Sequence, residues 1–303
     1  LADVAQQLGR GEEACAAMLE SARSKLFAAR ERRVRPGRDE KILSSWNALM
    51  IGGMARAGAV FGRTQWIESA RRALDFIRAT LWRDGRLLAT YKDGRAHLNA
   101  YLDDHAFLLA AAIELLQADF RPDTLEFAAD LADALLDRFE DKEKGGLFFT
   151  SHDHESLIHR SKLGHDNATP SGNGVAAFAL QRLSCLTGEL RYAQAAERTL
   201  EFFYPAMASQ PGAHASLLMA LEERLSPTRS VILRGTQPEL GQWRRALAGR
   251  YLPATMVVAI APETQRLPAV LDKPVTDRVN AWVCEGATCL APVPDLNGLL
   301  AAL

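Results

Sequence analysis

Apolar residues recur at helical spacing over 46–59, where Gly52, Gly53, Ala55 and Ala57 leave the helix slim enough for close packing. A short link, 61–64, leads to a second helical period over 65–81 with alanine and leucine on one face. Residues 84–94 then carry Asp84-Gly85 and Asp93-Gly94, the turn chemistry of a short β-hairpin. The same order returns at 104–116 and 122–139, followed by a glycine-led, hairpin-like excursion at 145–150. It returns again at 174–186 and 191–204, joined by the link 187–190, and 214–225 reads as one further inner helix.

A helix pair cannot bury its apolar face alone, so such units must stack side by side. Units of roughly 60 to 70 residues, with a hairpin or long loop after each outer helix, suit a toroid better than a short-repeat solenoid. The expectation is a mainly α fold: an incomplete (α/α) hairpin toroid over 1–226. After Pro227 the pattern changes. Residues 230–235, 254–260 and 281–284 read as strands, 239–248 and 295–303 as helices, which predicts a small α/β unit with parallel pairing over 227–303. Gly235 stands alone after the first of these strands, so no phosphate-binding loop is expected there.

Composition narrows the functional classes. Of 303 residues, 48% are hydrophobic and 24% charged, and the formal net charge is -1, so no basic field recruits nucleic acid or an anionic membrane. No apolar run reaches the roughly 18 to 20 residues needed to span a bilayer. Residues 1–11 carry charge without the apolar core of a signal peptide, and Leu1 in place of methionine suggests a piece of a longer chain. The four cysteines (Cys15, Cys185, Cys284, Cys289) are too few and scattered for a disulfide framework, which makes the cytoplasm the default compartment. Cys284 and Cys289 are too widely spaced for a CxxC redox pair and read as thiols.

Chemistry is expected where the loops preceding the inner helices meet at one mouth. One such segment holds Arg38, Asp39 and Lys41 ahead of Trp46 and Asn47; a second holds Tyr101, Asp103, Asp104 and His105. A third runs through Arg160, Lys162, His165, Asp166, Ser171 and Asn173, and His214 opens the last inner helix. Aspartates and serines just before a helix are often caps worth about 1 kcal/mol, and tryptophan is often core. Yet a cap needs one polar residue per helix, whereas these loops supply four to six. A funnel so lined suits a polyhydroxylated ligand. Asp104 and Asp166 are candidates for acid and base in glycosidic cleavage; His105 and His165 could instead move protons in an epimerisation or isomerisation. Arg38, Asp39, Lys41, Trp46, Asn47, Tyr101, Asp103, Arg160, Lys162, Ser171, Asn173 and His214 are the candidate ligand contacts. The histidines at 152, 154, 159 and 165 lack metal-ligand spacing, so no metal is expected, nor any other cofactor.

Several of these segments are familiar. Arg35-Pro36 with 39–50, Tyr101 to Phe107, Thr169 to Gly174, and Trp282-Val283-Cys284 with Cys289 and Pro292 resemble the motifs of a family of thioredoxin-domain-containing proteins found in bacteria and animals. The resemblance runs over almost the whole chain. It departs at His105, where the family has tyrosine, at Glu40 for aspartate, and at Gly174 for serine. It implies a six-hairpin (α/α) region similar to N-acylglucosamine 2-epimerases and six-hairpin glycosidases, lying after a thioredoxin-like domain and the first hairpins. That domain is then an expected partner, and a sugar the expected ligand. Two functions follow: a sugar epimerase, isomerase or hydrolase, or a non-catalytic module that binds a ligand or protein for the thioredoxin-like domain.

Overall fold

A computed structural model describes residues 1–226, 228–286 and 288–303. The chain forms two compact units, Leu1–Glu40 and Lys41–Leu303. The first contains α1 (Ala2–Gln7) and α2 (Glu12–Glu31). Glu12 and Glu13 in the first turn of α2 and Arg30 in its last complement the helix dipole. The sequence pattern did not single out α2, because its alanines and charges alternate without a broad apolar stripe.

The second unit opens with β1 (Ile42–Leu43), then α3 (Ser44–Val60) and α4 (Thr64–Thr80). A small antiparallel sheet follows: β2 (Trp82–Arg83), β3 (Arg86–Lys92) and β4 (Arg95–Asn99), with β1 paired to β3. Both of its tight turns are Asp-Gly with positive φ at each residue (50° and 70° at 84–85, 50° and 78° at 93–94), the mirror-image turn whose twist suits a hairpin. Next come α5 (Leu102–Ala118), α6 (Pro122–Phe139), α7 (Gly172–Thr187), α8 (Leu190–Ser209) and α9 (Ala215–Leu225). The hairpin-like excursion expected at 145–150 is a tight antiparallel reversal with one bridge, Glu140 to Leu147, flanked by backbone bonds from Asp141 to Gly146 and Phe148 to Phe139, and without full strands.

Packing follows the pattern. The helices α3, α5, α7 and α9 lie side by side in chain order, and α4, α6 and α8 back onto them. The most deeply set, α5, is apolar nearly all round (Phe107, Leu108, Leu109, Ala112, Ile113, Leu116 are buried), as a helix covered on every side must be. The outer helices have one apolar face only. This is an incomplete (α/α) toroid, as the sequence implied.

The tail comprises β5 (Arg229–Arg234), α10 (Gln237–Ala248), β6 (Thr255–Ile260), β7 (Asn280–Glu285), β8 (Thr288–Cys289) and α11 (Leu296–Ala302). The sheet order is β6-β5-β7-β8. The pair β5–β6 is parallel through the α10 crossover, but β7 runs antiparallel to β5, so the sheet is mixed where parallel pairing was expected. One face (Ile232, Met256, Val258, Trp282) joins the core of the helices, and the other (Val231, Leu233, Val283) packs on Leu240, Trp243 and Leu299. The boundary expected at 227 falls outside the described residues.

The reading of Cys284 and Cys289 as thiols is corrected here: they form a disulfide. The hairpin of β7 and β8 sets them directly opposite each other, a register that residue spacing alone does not reveal. No helix among the described residues is long and apolar enough to cross a membrane.

Close approach of the inner helices limits side-chain size at the seams. A Cβ at Gly174 would fall 2.1 Å from Ser216 Oγ and 2.8 Å from the Leu217 backbone nitrogen, whereas at Gly53 it would meet nothing. Gly174→Ala is therefore expected to cost about 1–3 kcal/mol, and Gly53→Ala to gain up to about 1 kcal/mol. Urea denaturation of the two variants checks the contrast.

Candidate functional site

The inner helices run parallel, so their free N-terminal amides gather at one end. Carboxylates fill this end and are shared between neighbours. Asp104 lies in the first turn of α5. One oxygen accepts from the Tyr101 N–H at its own helix start (2.9 Å), the other from the Ser45 N–H of α3 (2.9 Å). Asp103 accepts from the Gly172 N–H at the start of α7. A Cβ at residue 172 would sit 2.2 Å from Asp103 Oδ1, so glycine is what allows that approach. Asp166, from the loop before α7, accepts from the Ser171 and Ser216 N–H groups (2.8 Å each) and from the Ser216 hydroxyl. One chain of carboxylates thus ties α3 to α5, α5 to α7, and α7 to α9.

These carboxyls do not share one acidity. Burial, and then the charge of Asp104, push Asp103 up from 3.8 to about 6 against the opposing Gly172 amide. Burial likewise raises Asp104. Asp166 is held below the ordinary range: burial works against ionisation, but the Ser216 hydroxyl and the Ser216 and Ser171 amides outweigh it. Asp103 and Asp166 accept from consecutive backbone amides, those of Gly172 and Ser171, so two carboxyls of opposite tendency flank a single turn.

The remaining expected residues divide clearly. Trp46, in the first turn of α3, is 67% exposed, and Asn47 beside it donates to the Leu43 carbonyl (2.9 Å). Tyr101 caps α5 with its ring stacked on Phe149 at 5.0 Å. His105 is buried, its Nδ1 3.0 Å from the Tyr101 carbonyl oxygen, and burial lowers its pKa to about 4, so it stays neutral. His165 is exposed and packs on buried His214 (4.5 Å between rings), whose Nδ1 lies 2.9 Å from the Gln210 carbonyl oxygen. Ser171 caps α7 by accepting from the Gly174 N–H. Asn173 is wholly buried and locks the preceding loop: it accepts from the Leu147 N–H and donates to the Leu147 and Leu163 carbonyls.

Other candidates turn elsewhere. Lys162 bonds Asp141 and the Gly145 carbonyl between the rings of Phe148 and Phe202, the latter on outer helix α8. Arg160 lies over Phe148 and donates to the Thr150 carbonyl. Both pin the 145–162 loop. Arg38 and Asp39 belong to the Leu1–Glu40 unit, where Arg38 pairs with Glu40; Lys41 opens the second unit. Sequence reasoning missed Ser45, Gly172 and Ser216, although a serine near the start of three inner helices was a visible signal.

The geometry yields two stability predictions. Asp104 serves two amides with two oxygens, and asparagine has one acceptor oxygen. Asp104→Asn and Asp104→Ala should therefore both cost about 1–3 kcal/mol in urea denaturation. Asp103 behaves differently. It holds its proton more tightly folded than unfolded, so its contribution is complete below about pH 4 and is lost as pH rises through about 6. Asp103→Asn keeps the acceptor for Gly172. Its urea midpoint should exceed that of the wild type above pH 7 and converge with it near pH 4.

In class of fold, the chain is similar to the GH76 α-mannanase of Bacteroides thetaiotaomicron, with a TM-score of 0.51 at 12% identity over 78% of this chain and 69% of that one. A cellobiose 2-epimerase from Spirochaeta thermophila aligns over 54% of this chain and 43% of its own, with a TM-score of 0.44 and 20% identity. In sequence, the chain is similar to human spermatogenesis-associated protein 20, 28% identical over 310 residues. The match takes in 96% of this chain but 39% of that protein, so the chain spans about two fifths of the relative's length. No family model matches the chain.

Proposed function

We propose that the polar mouth is a carbohydrate site with acid–base chemistry, that of a sugar epimerase, isomerase or glycoside hydrolase. The observation that carries this reading is the carboxyl pair flanking residues 171–172, with Asp103 raised to about 6 and Asp166 lowered. Pairs whose surroundings separate their acidities supply a proton donor and a proton acceptor at one pH. Asp103 is the acid and Asp166 the base; Asp104 and Ser171 hold them in place. Trp46 offers an exposed ring face for a sugar, with Asn47, Tyr101, His165 and His214 as further contacts. Likeness of fold to a mannanase makes saccharides the class to try first.

One observation favours a second reading. The oxygens of Asp104 and Asp166 are engaged by backbone amides, which suits a mouth that binds without turnover and presents its ligand to a thioredoxin-like domain of a longer protein.

A thermal-shift screen against mono- and disaccharides, N-acetylated and uronic sugars included, followed by turnover assays on each hit, separates the two. Under the first reading Asp103→Asn lowers turnover by about 10²–10⁴-fold with the fold intact. Turnover of the wild type also declines as pH rises through about 6. Binding without turnover supports the second reading. A sugar-independent melting temperature throughout would contradict the first reading and favour the second, with a protein as the partner to seek.

A further inference from the structure

The disulfide of Cys284 and Cys289 is made by residues outside the polar mouth, and its two sulfurs differ in setting. Cys289 lies on β8, a two-residue strand at the end of the sheet order, with Thr288 and Leu290 exposed on either side of it. Cys284 lies on β7 and is buried in the core that the sheet shares with the helices. One cysteine therefore stands partly exposed at the rim of the sheet, and the other behind it in apolar surroundings.

As a staple the bridge adds little. It spans five residues, and closing so short a loop constrains the unfolded chain least. The hairpin is paired without it: Glu285 stands opposite Thr288, and the Leu290 N–H donates to the Val283 carbonyl (2.9 Å).

A cation addresses the outer sulfur. Lys273, from the segment between β6 and β7, donates from Nζ to Cys289 Sγ (3.4 Å). The carboxylates nearest in sequence are engaged by other cations: Glu285 pairs with Arg229 (2.9 Å), and Asp272 acts on Arg234. An ammonium beside a sulfur favours its thiolate, the form that attacks and departs in disulfide exchange. Burial of Cys284 disfavours its charged form and leaves it a thiol when the bridge is open.

We propose that Cys284 and Cys289 form a reversible thiol–disulfide exchange site that accepts two electrons from a dithiol, with Cys289 the sulfur attacked. A thiolate of the dithiol attacks Cys289 Sγ. The bond between the two cysteines breaks, and its electron pair leaves on the Cys284 sulfur, which takes up the proton lost by the partner's second thiol. That second sulfur attacks the partner's own sulfur in the mixed disulfide and releases Cys289 as a thiolate beside Lys273. The dithiol ends as a disulfide, the pair as one thiol and one thiolate, and the reverse sequence closes the bridge again. The site does not depend on the carbohydrate reading of the mouth.

The test is incubation of the full, undenatured chain with dithiothreitol and, separately, with reduced thioredoxin, each cysteine being followed by alkylation and mass spectrometry. The bridge should open reversibly with the far-ultraviolet circular dichroism unchanged. Faster opening by thioredoxin at equal concentration assigns the partner to proteins, and faster opening by dithiothreitol assigns it to small dithiols. In Cys284→Ser, glutathione disulfide should leave glutathione on Cys289, since no second sulfur remains to expel it. In the reduced chain, Lys273→Met should slow alkylation of Cys289 at pH 7 by about tenfold, and Lys273→Arg should restore most of the rate. Should a variant fail to fold, the pH profile of Cys289 alkylation in the reduced wild type decides. A midpoint below that of an ordinary thiol, about 8.5, supports the site, and one at or above it overturns the proposal. A bridge that neither reagent opens without denaturant, or whose opening unfolds the chain, is structural and overturns it. Alkylation of Cys289 indifferent to the change at Lys273 does so too.

Discussion

A carboxylate shared between the N-termini of adjacent parallel helices is the interaction on which this molecule depends. Parallel inner helices put their positive dipole ends side by side, an arrangement that repels itself and leaves several amides unbonded. Asp104, Asp103 and Asp166 resolve both difficulties, each supplying negative charge and acceptors across a seam. The packing accommodates them: Gly172 admits Asp103 and Gly174 admits Ser216, so α7 can approach both neighbours. The apolar core beneath then needs only ordinary alanine-rich faces, because the register of the helices is set at their starts.

The same device sets acidities. Carboxyls that cap helices are partly removed from water, and how many amides each receives decides its acidity. Asp166 accepts from three donors and is held below the ordinary range; Asp103 accepts from one, beside the charge of Asp104, and keeps its proton up to about pH 6. Capping and catalysis are thus not exclusive readings of these residues.

Much of this was legible in the chain. The helical period placed α3 through α10 within a few residues of their observed ends, and the Asp-Gly pairs marked both hairpin turns. The starts of the inner helices do meet at one end, through Asp104, Asp166 and the amides they bond, but Arg160 and Lys162 from the same polar segments turn elsewhere. What remained hidden depended on partners distant in sequence. Nothing near Lys162 signals that Asp141 and Phe202 would draw it to the outer wall, and nothing near Asp104 reveals the Ser45 amide. The antiparallel placement of β7 and its disulfide to β8 were hidden for the same reason, and the pairing removes the argument from scattered thiols to a reducing compartment.

The central claim concerns acidities set by shared helix caps, and a titration followed at the side-chain carboxyl carbons of Asp103 and Asp166 by nuclear magnetic resonance tests it most directly. The arrangement requires Asp103 to titrate near pH 6 and Asp166 below the ordinary carboxyl range. If the two carboxyls titrate together at the ordinary value, near 3.8, neither is engaged as described, and both the stapled helices and the acid–base pair would have to be abandoned.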